Sequence, residues 1–145
     1  IICGEGESDR LLSLINSENH VGKIFYAGWV NGVQKDELIA ETDIFILPSH
    51  FEGLPMAILE AMSAGKPIIS TSVGGIPSIV QPHHNGWLIE PGKINQLDPV
   101  IDQIFSEPAI ISRYGFNSLT DAKKFHVNAI VSQLNTIYKE LLITD

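Results

Sequence analysis

The stretch Asp43-Ile44-Phe45-Ile46-Leu47-Pro48-Ser49-His50-Phe51-Glu52-Gly53-Leu54-Pro55-Met56-Ala57-Ile58-Leu59-Glu60-Ala61-Met62-Ser63-Ala64-Gly65-Lys66-Pro67 changes its hydrophobic pattern partway along, and that change decides the fold. Residues 43–47 form a nearly continuous apolar run, as in a parallel strand buried on both faces. Pro48 and Ser49 end it. Pro55 suits the first position of a helix, where its missing N–H has no intrahelical partner to lose. Met56, Ile58, Leu59 and Met62 then supply one apolar helix face. Gly65 followed by Lys66-Pro67 is a C-terminal stop. The stretch reads as strand, loop, helix.

The same alternation extends outward on both sides. Upstream, residues 1–3 read as a strand closed by Gly4-Glu5-Gly6. A helix follows over 8–16, with Ser8 as its cap. Residues 24–27 form a second strand ending in Gly28-Trp29-Val30, and 34–41 a short helix. Downstream come a strand over 68–71, a Gly74-Gly75 turn, a helical turn at 76–80 and a last strand at 87–89. From about residue 95 the pattern is helical. Leu97, Val100, Ile101, Ile104 and Phe105 make one stripe, and Ile130, Leu134, Ile137, Tyr138 and Leu141 another. Strands alternating with helices imply right-handed crossovers and a parallel sheet. The expected fold is α/β: a Rossmann-like parallel sheet with helices on both faces. Residues 1–145 make one domain, and 93–145 are its helical tail, packed on the sheet or reaching toward a partner.

Composition narrows the function. The chain has 145 residues, 44% hydrophobic and 18% charged, and carries a net charge of −8. That balance argues against a nucleic-acid partner, which clustered Lys and Arg would attract. Lys123-Lys124 is the only adjacent basic pair and reads as a solvated helix face. Cys3 is the only cysteine, so an internal disulfide is impossible; a buried strand position and a reducing compartment are expected for it. No apolar run approaches the roughly 18 residues of a membrane-spanning helix. The chain opens on Ile1-Ile2-Cys3 without an initiator Met, which reads as the middle of a strand and so as an N-terminally truncated domain.

In an open parallel sheet, ligands bind at the carboxyl ends of the strands. The loop there with the most chemistry carries Glu52, with Glu60 eight residues further, inside the helix. Two carboxylates then flank a helix N-terminus, whose free N–H groups suit a phosphate. Gly53 permits close backbone approach, and a carboxylate can accept two hydrogen bonds from a vicinal diol. The bland alternative is two solvated glutamates beside an ordinary helix start. Against it, Leu59, Ala61 and Met62 predict a largely buried helix, and a buried carboxylate requires partners. His83-His84 reads as an exposed turn, His50 as a variable loop residue, and His20 and His126 as surface positions. Trp29 is read equally as a stacking platform or as packing.

The run Pro48-Ser49-x-x-Glu52-Gly53-Leu54-Pro55-x-x-x-x-Glu60-Ala61-Met62-x-x-Gly65-x-Pro67 resembles the signature of family 4 glycosyltransferases. So do Gly4-x-Gly6, Gly28-Trp29-Val30, Gly74-Gly75-Ile76-Pro77 and Asn85-Gly86-Trp87-Leu88-Ile89-x-Pro91, in the family's order, over about residues 1–92. The resemblance implies the carboxy-terminal, donor-binding half of a two-domain glycosyltransferase of the B-type fold. It further implies a hexosyl-type transferase that moves a sugar from a nucleotide-diphosphate sugar with retention of anomeric configuration and without a metal or other cofactor. Glu60 would hold the ribose, and Glu52, as the catalytic carboxylate, the donor sugar's reacting face. Gly53, Leu54 and Pro55 (which has no N–H) would line sugar and pyrophosphate, and Trp29 and Val30 would lie beside the base. The acceptor would be a glycan or lipid-linked sugar bound by an absent amino-terminal domain, in polysaccharide biosynthesis at the cell envelope. The implied location is cytoplasmic, with peripheral attachment at the inner face of the membrane open to the full-length protein.

The chain also departs from that pattern. The family's pyrophosphate is neutralised by an Arg and a Lys in a stretch preceding the one that matches Ile1, whereas Arg10 and Lys66 stand in other motifs. Ser78 occupies a place where Glu often follows Gly-Gly-x-Pro. These departures keep a second expectation open, a non-catalytic nucleotide-sugar-binding or structural module of the same fold. A sugar-nucleotide epimerase of that fold is a weaker third, because its signatures differ from Glu-Gly-Leu-Pro.

Overall fold

The computed structural model describes residues 1–17 and 20–142. It divides into two compact units, Ile1–Glu41 and Thr42–Asp145. In the first, β1 (Ile2–Cys3), α1 (Ser8–Ser17), β2 (Tyr26–Gly28) and α2 (Gly32–Glu41) follow one another. β1 and β2 pair in parallel, and the Tyr26 hydroxyl donates to the Gly4 carbonyl at 2.8 Å. Ile15 and Ile39 are the buried hydrophobic residues among those described in this unit. Cys3, expected in a buried strand, is exposed. The reason is the sheet: two short strands have too little face to close over a side chain.

The second unit contains β3 (Phe45–Leu47), α3 (Met56–Ser63), β4 (Ile68–Thr71), α4 (Ile76–Ile79), β5 (Gly86–Ile89), α5 (Leu97–Ser106), α6 (Ala109–Ala122) and α7 (Val127–Leu142). Its strands are all parallel, in the order β3-β4-β5. Helices lie on both faces, as expected for a Rossmann-like sheet. The doubly buried strand is β4, whose four residues are all buried. β3, read from its apolar run as buried on both faces, is an edge strand with Ile46 48% exposed. An apolar run reports affinity for a core; the number of neighbouring strands decides whether the core surrounds it.

Ile69 and Trp87 on the sheet pack against Ile104, Ile110 and Tyr114, with Leu97, Val100, Ile101 and Ile111 around them. Each such aliphatic side chain contributes roughly 1.5–3 kcal/mol when fully buried. The Trp87 and Tyr114 rings sit 4.8 Å apart at 43°, and the Trp87 indole N–H donates to Gln103 Oε1 at 2.8 Å. α6 therefore supplies two core residues, although its Ile110 and Tyr114 belong to neither stripe read from the sequence. α3 ends as its Gly65 predicts. Gly65 has φ +70°, and the N–H groups of Gly65 and Lys66 bond the carbonyls of Met62 and Ala61, the paired closure of a Schellman motif. A Cβ on Gly115 of α6 would stand 2.2 Å from the Gly65 carbonyl oxygen, so α6 passes close over that stop.

The tail departs from its reading at one residue of α5. Phe105 is 80% exposed and leaves the α5 stripe, which the other four residues maintain. No residue of α7 is buried, so the stripe from Ile130 to Leu141 does not pack on the sheet. Among the described residues no helix is long and apolar enough to cross a membrane.

Candidate functional site

The β3–β4 ladder runs as far as Leu47 paired with Ser70. Pro48 then offers no N–H, and hydroxyl groups take over. Ser70 Oγ donates to the Leu47 carbonyl at 2.6 Å, and Thr71 Oγ1 donates to the Ser49 carbonyl. The Ser49 hydroxyl in turn donates to Glu52 Oε1 at 2.7 Å. At the far end of the loop, the Gly75 N–H donates to the Gly53 carbonyl at 2.7 Å. Gly74 lies at φ +52°, and a Cβ there would fall 1.8 Å from the Glu52 carbonyl oxygen. Glycine at 74 is thus required twice, by its backbone angle and by the approach of the Glu52 peptide. His50, Phe51, Glu52, Gly53, Val73 and Gly74 line an open concavity of about 610 Å³. That volume lies in the range of small-molecule sites.

The helix beyond the loop begins one residue later than expected. Pro55 is the residue before the first helical turn, at φ −72° and ψ 116°, and its carbonyl accepts the Ile58 N–H at 3.2 Å. No side chain caps α3, so its first N–H groups and the positive end of its dipole remain available to a ligand. Gly53 and Leu54 are exposed beside it. Met56, expected on the apolar face, is 64% exposed, while Ile58, Leu59 and Met62 keep that face buried.

Glu60 is half-buried rather than enclosed with its neighbours Leu59, Ala61 and Met62. It lies four residues past Met56, about 6 Å along the helix axis. It borders a second concavity of about 570 Å³, shared with Met56, Leu59 and Ser63 of α3 and with Leu119, Lys123, Phe125 and His126. Glu52 and Glu60 therefore line separate concavities. Trp29 and Val30 follow β2 in the first unit, with Trp29 66% exposed and Val30 half-buried.

One cluster escaped the sequence reading. Asp121 near the end of α6 is buried, with Lys124 Nζ 2.6 Å from Oδ1 and His84 Nε2 3.0 Å from Oδ2. Asn85, fully buried, donates to the same Oδ2 at 3.2 Å and to the Ile79 carbonyl at 2.9 Å, while its Oδ1 accepts the Gln81 N–H. Burial works against the Asp121 charge, but the hydrogen bond and charge of Lys124 and then His84 outweigh it and hold the carboxyl below its ordinary value. His84 and Lys124 are exposed, as read from the sequence, and each also pairs with Asp121. Lys124 is three residues from Asp121, but His84 and Asn85 lie 37 and 36 residues away, and no local spacing announces those two. His20, read as surface, is half-buried. Among the described residues no group of three or more His, Cys, Asp or Glu is placed to hold a metal ion.

A parallel α/β unit with helices on both faces and a carboxylate-bearing loop at its strand ends belongs to the doubly wound class. The chain belongs to the glycosyl transferases group 1, whose family model matches residues 1–121. It is 30% identical over 147 aligned residues to N-acetyl-alpha-D-glucosaminyl L-malate synthase of Bacillus anthracis, covering 100% of this chain and 38% of that protein. It is 26% identical to UDP-Gal:alpha-D-GlcNAc-diphosphoundecaprenol alpha-1,3-galactosyltransferase of Escherichia coli, covering 99% and 37%. Among solved structures, sucrose-phosphate synthase of Thermosynechococcus elongatus superposes with a TM-score of 0.80 at 26% identity, over 96% of this chain and 35% of that one. Anabaena Alr3699/HepE in complex with UDP gives 0.81 at 24% identity, over 95% and 40%. The fold is accordingly that of glycosyltransferases of the B type. The chain spans well under half the length of each of these proteins.

Proposed function

We propose that this chain is the donor-binding part of a family 4 glycosyltransferase, transferring a hexose from a nucleotide-diphosphate sugar with retention of configuration and without a metal. The observation that carries the reading is the Glu52 loop. It presents a carboxylate to an open concavity, steadied through one oxygen by Ser49, immediately before the uncapped start of α3. Family membership supports sugar transfer, and the names of the relatives, with UDP-Gal in one and UDP bound to HepE in another, support a nucleotide sugar as donor.

In this reading Glu52 faces the donor sugar, and the N–H groups of Gly53 and Leu54 meet sugar and pyrophosphate while Pro55 sets the start of the helix. Glu60 accepts the ribose hydroxyls, and Trp29 and Val30 border the base. An extended ligand running from Glu52 toward Glu60 would pass the positive end of α3, which stabilises a phosphate there. The acceptor, a glycan or lipid-linked sugar, binds outside this chain. Cytoplasmic placement, at or near the inner membrane face, and a role in envelope polysaccharide synthesis complete the reading.

The test is calorimetry of the full-length protein with UDP-glucose, GDP-glucose and ADP-glucose, repeated on Glu60→Ala. Hydrogen bonds to a charged group contribute roughly 1.5–3 kcal/mol each, so the variant should lose roughly ten- to hundred-fold in donor affinity. Unchanged affinity overturns the ribose assignment. Donor binding without turnover of any nucleotide sugar overturns transfer and leaves the non-catalytic binding module.

A further inference from the structure

Glu52 is held by groups that do not line its concavity. Ser49 is half-buried and Thr71 is 2% exposed. Thr71 sits at the end of the central strand β4, where the backbone ladder with β3 has already stopped. Its hydroxyl fixes the Ser49 peptide by bonding the carbonyl, and the Ser49 hydroxyl then spans three residues to Glu52 Oε1. The loop is closed from the other side by the Gly75 N–H on the Gly53 carbonyl. Between these anchors the Ser49 hydroxyl restrains the Glu52 side chain through Oε1. Among the described residues the second oxygen, Oε2, carries no hydrogen bond.

We propose that Ser49 is the positioning residue of Glu52, and that Thr71 positions Ser49 in turn. The relay of two hydroxyls holds the carboxylate in one rotamer, engaged through Oε1 and free at Oε2 to act on a bound sugar. The inference rests on the reading of Glu52 as the donor-facing group. It adds a cause for that group's geometry. A misoriented carboxylate loses its transition-state contact while the binding groups of the donor stay where they were.

Steady-state kinetics on the full-length protein, with whichever of UDP-glucose, GDP-glucose and ADP-glucose it turns over fastest, separates the possibilities. Four variants are compared with the wild type: Ser49→Ala, Ser49→Thr, Thr71→Val and Glu52→Gln. Ser49→Ala should lower kcat by roughly ten- to hundred-fold, the value of one charge-assisted hydrogen bond, with donor KM within about twofold of wild type. Ser49→Thr, which keeps the hydroxyl, should recover most of kcat. Thr71→Val should fall between Ser49→Ala and wild type when assayed well below its melting temperature.

Wild-type kcat in Ser49→Ala beside an impaired Glu52→Gln overturns the positioning role and leaves Glu52 as assigned. A raised KM without rescue by Ser49→Thr also overturns it, assigning Ser49 to binding or to loop structure. Wild-type kcat in Glu52→Gln instead overturns the site reading, and the inference falls with it.

Discussion

Two carboxylates of the second unit, Asp121 and Glu52, are anchored differently. Asp121 has both oxygens occupied, Oδ1 by Lys124 and Oδ2 by His84 and Asn85, and it is buried. Glu52 is held through Oε1 alone by a hydroxyl of its own loop and borders an open concavity. The first arrangement consumes the carboxylate's acceptor capacity to join the turn before β5 to the end of α6. The second leaves acceptor capacity unspent. A carboxylate kept half-satisfied at the end of a parallel strand is available to a ligand in a way that a fully satisfied one is not.

The comparison breaks most severely at the turn that shapes the Glu52 loop. Gly74→Ala would force a Cβ into the Glu52 carbonyl oxygen at a left-handed backbone angle. Strain of that kind plus the required loop shift should cost about 3 kcal/mol or more. Thermal melting should show the loss, and donor binding should weaken with it, because the displaced peptide is that of Glu52. Full retention of both would mean that the loop relaxes without consequence for its carboxylate.

The clasp comes next. Asp121→Asn removes the charge that Lys124 and His84 face, and should cost about 1–3 kcal/mol in unfolding free energy near pH 7 with donor binding unchanged. Its pH dependence follows from the lowered carboxyl value in the folded chain. An unfolded Asp titrates near about 3.9. Stabilisation by the charged Asp121 is therefore fully present above that value and fades as pH falls through the lower folded value. The stability gap between wild type and Asp121→Asn should narrow as pH falls through the carboxylate range. A gap that widened on acidification would contradict the clasp.

How far the sequence disclosed this follows from the range of each interaction. The strand–loop–helix from residue 43 to 67 is local, and Gly65 closes α3 as its neighbours require. Burial was misjudged where it depended on distant chain. β3 carries the longer apolar run, yet β4, which ends in Ser70 and Thr71, is central and β3 an edge, and Cys3 lies on a sheet too small to cover it. The Ser49–Glu52 bond lies inside the quoted motif, and a hydroxyl three residues from a carboxylate is a signal that spacing offers. Thr71 with Ser49, and His84 with Asp121, are joined across 22 and 37 residues, a distance at which no periodicity speaks. Glu60 borders a concavity completed by α6, the turn after it and the start of α7, elements whose packing no single motif encodes.

The smallest expected effect is the sharpest discriminator between the two carboxylates. Glu52→Gln preserves an acceptor oxygen for the Ser49 hydroxyl and removes only a charge that the protein does not otherwise engage among its described residues. Its unfolding free energy should stay within about 0.5 kcal/mol of wild type, as for a surface substitution. Asp121→Asn, an equally conservative change, should not. Measured side by side by denaturant titration, a destabilisation of Glu52→Gln as large as that of Asp121→Asn would place both carboxylates in the same structural role. A stable Glu52→Gln with impaired turnover would mark Glu52 as a group retained for a ligand rather than for the fold.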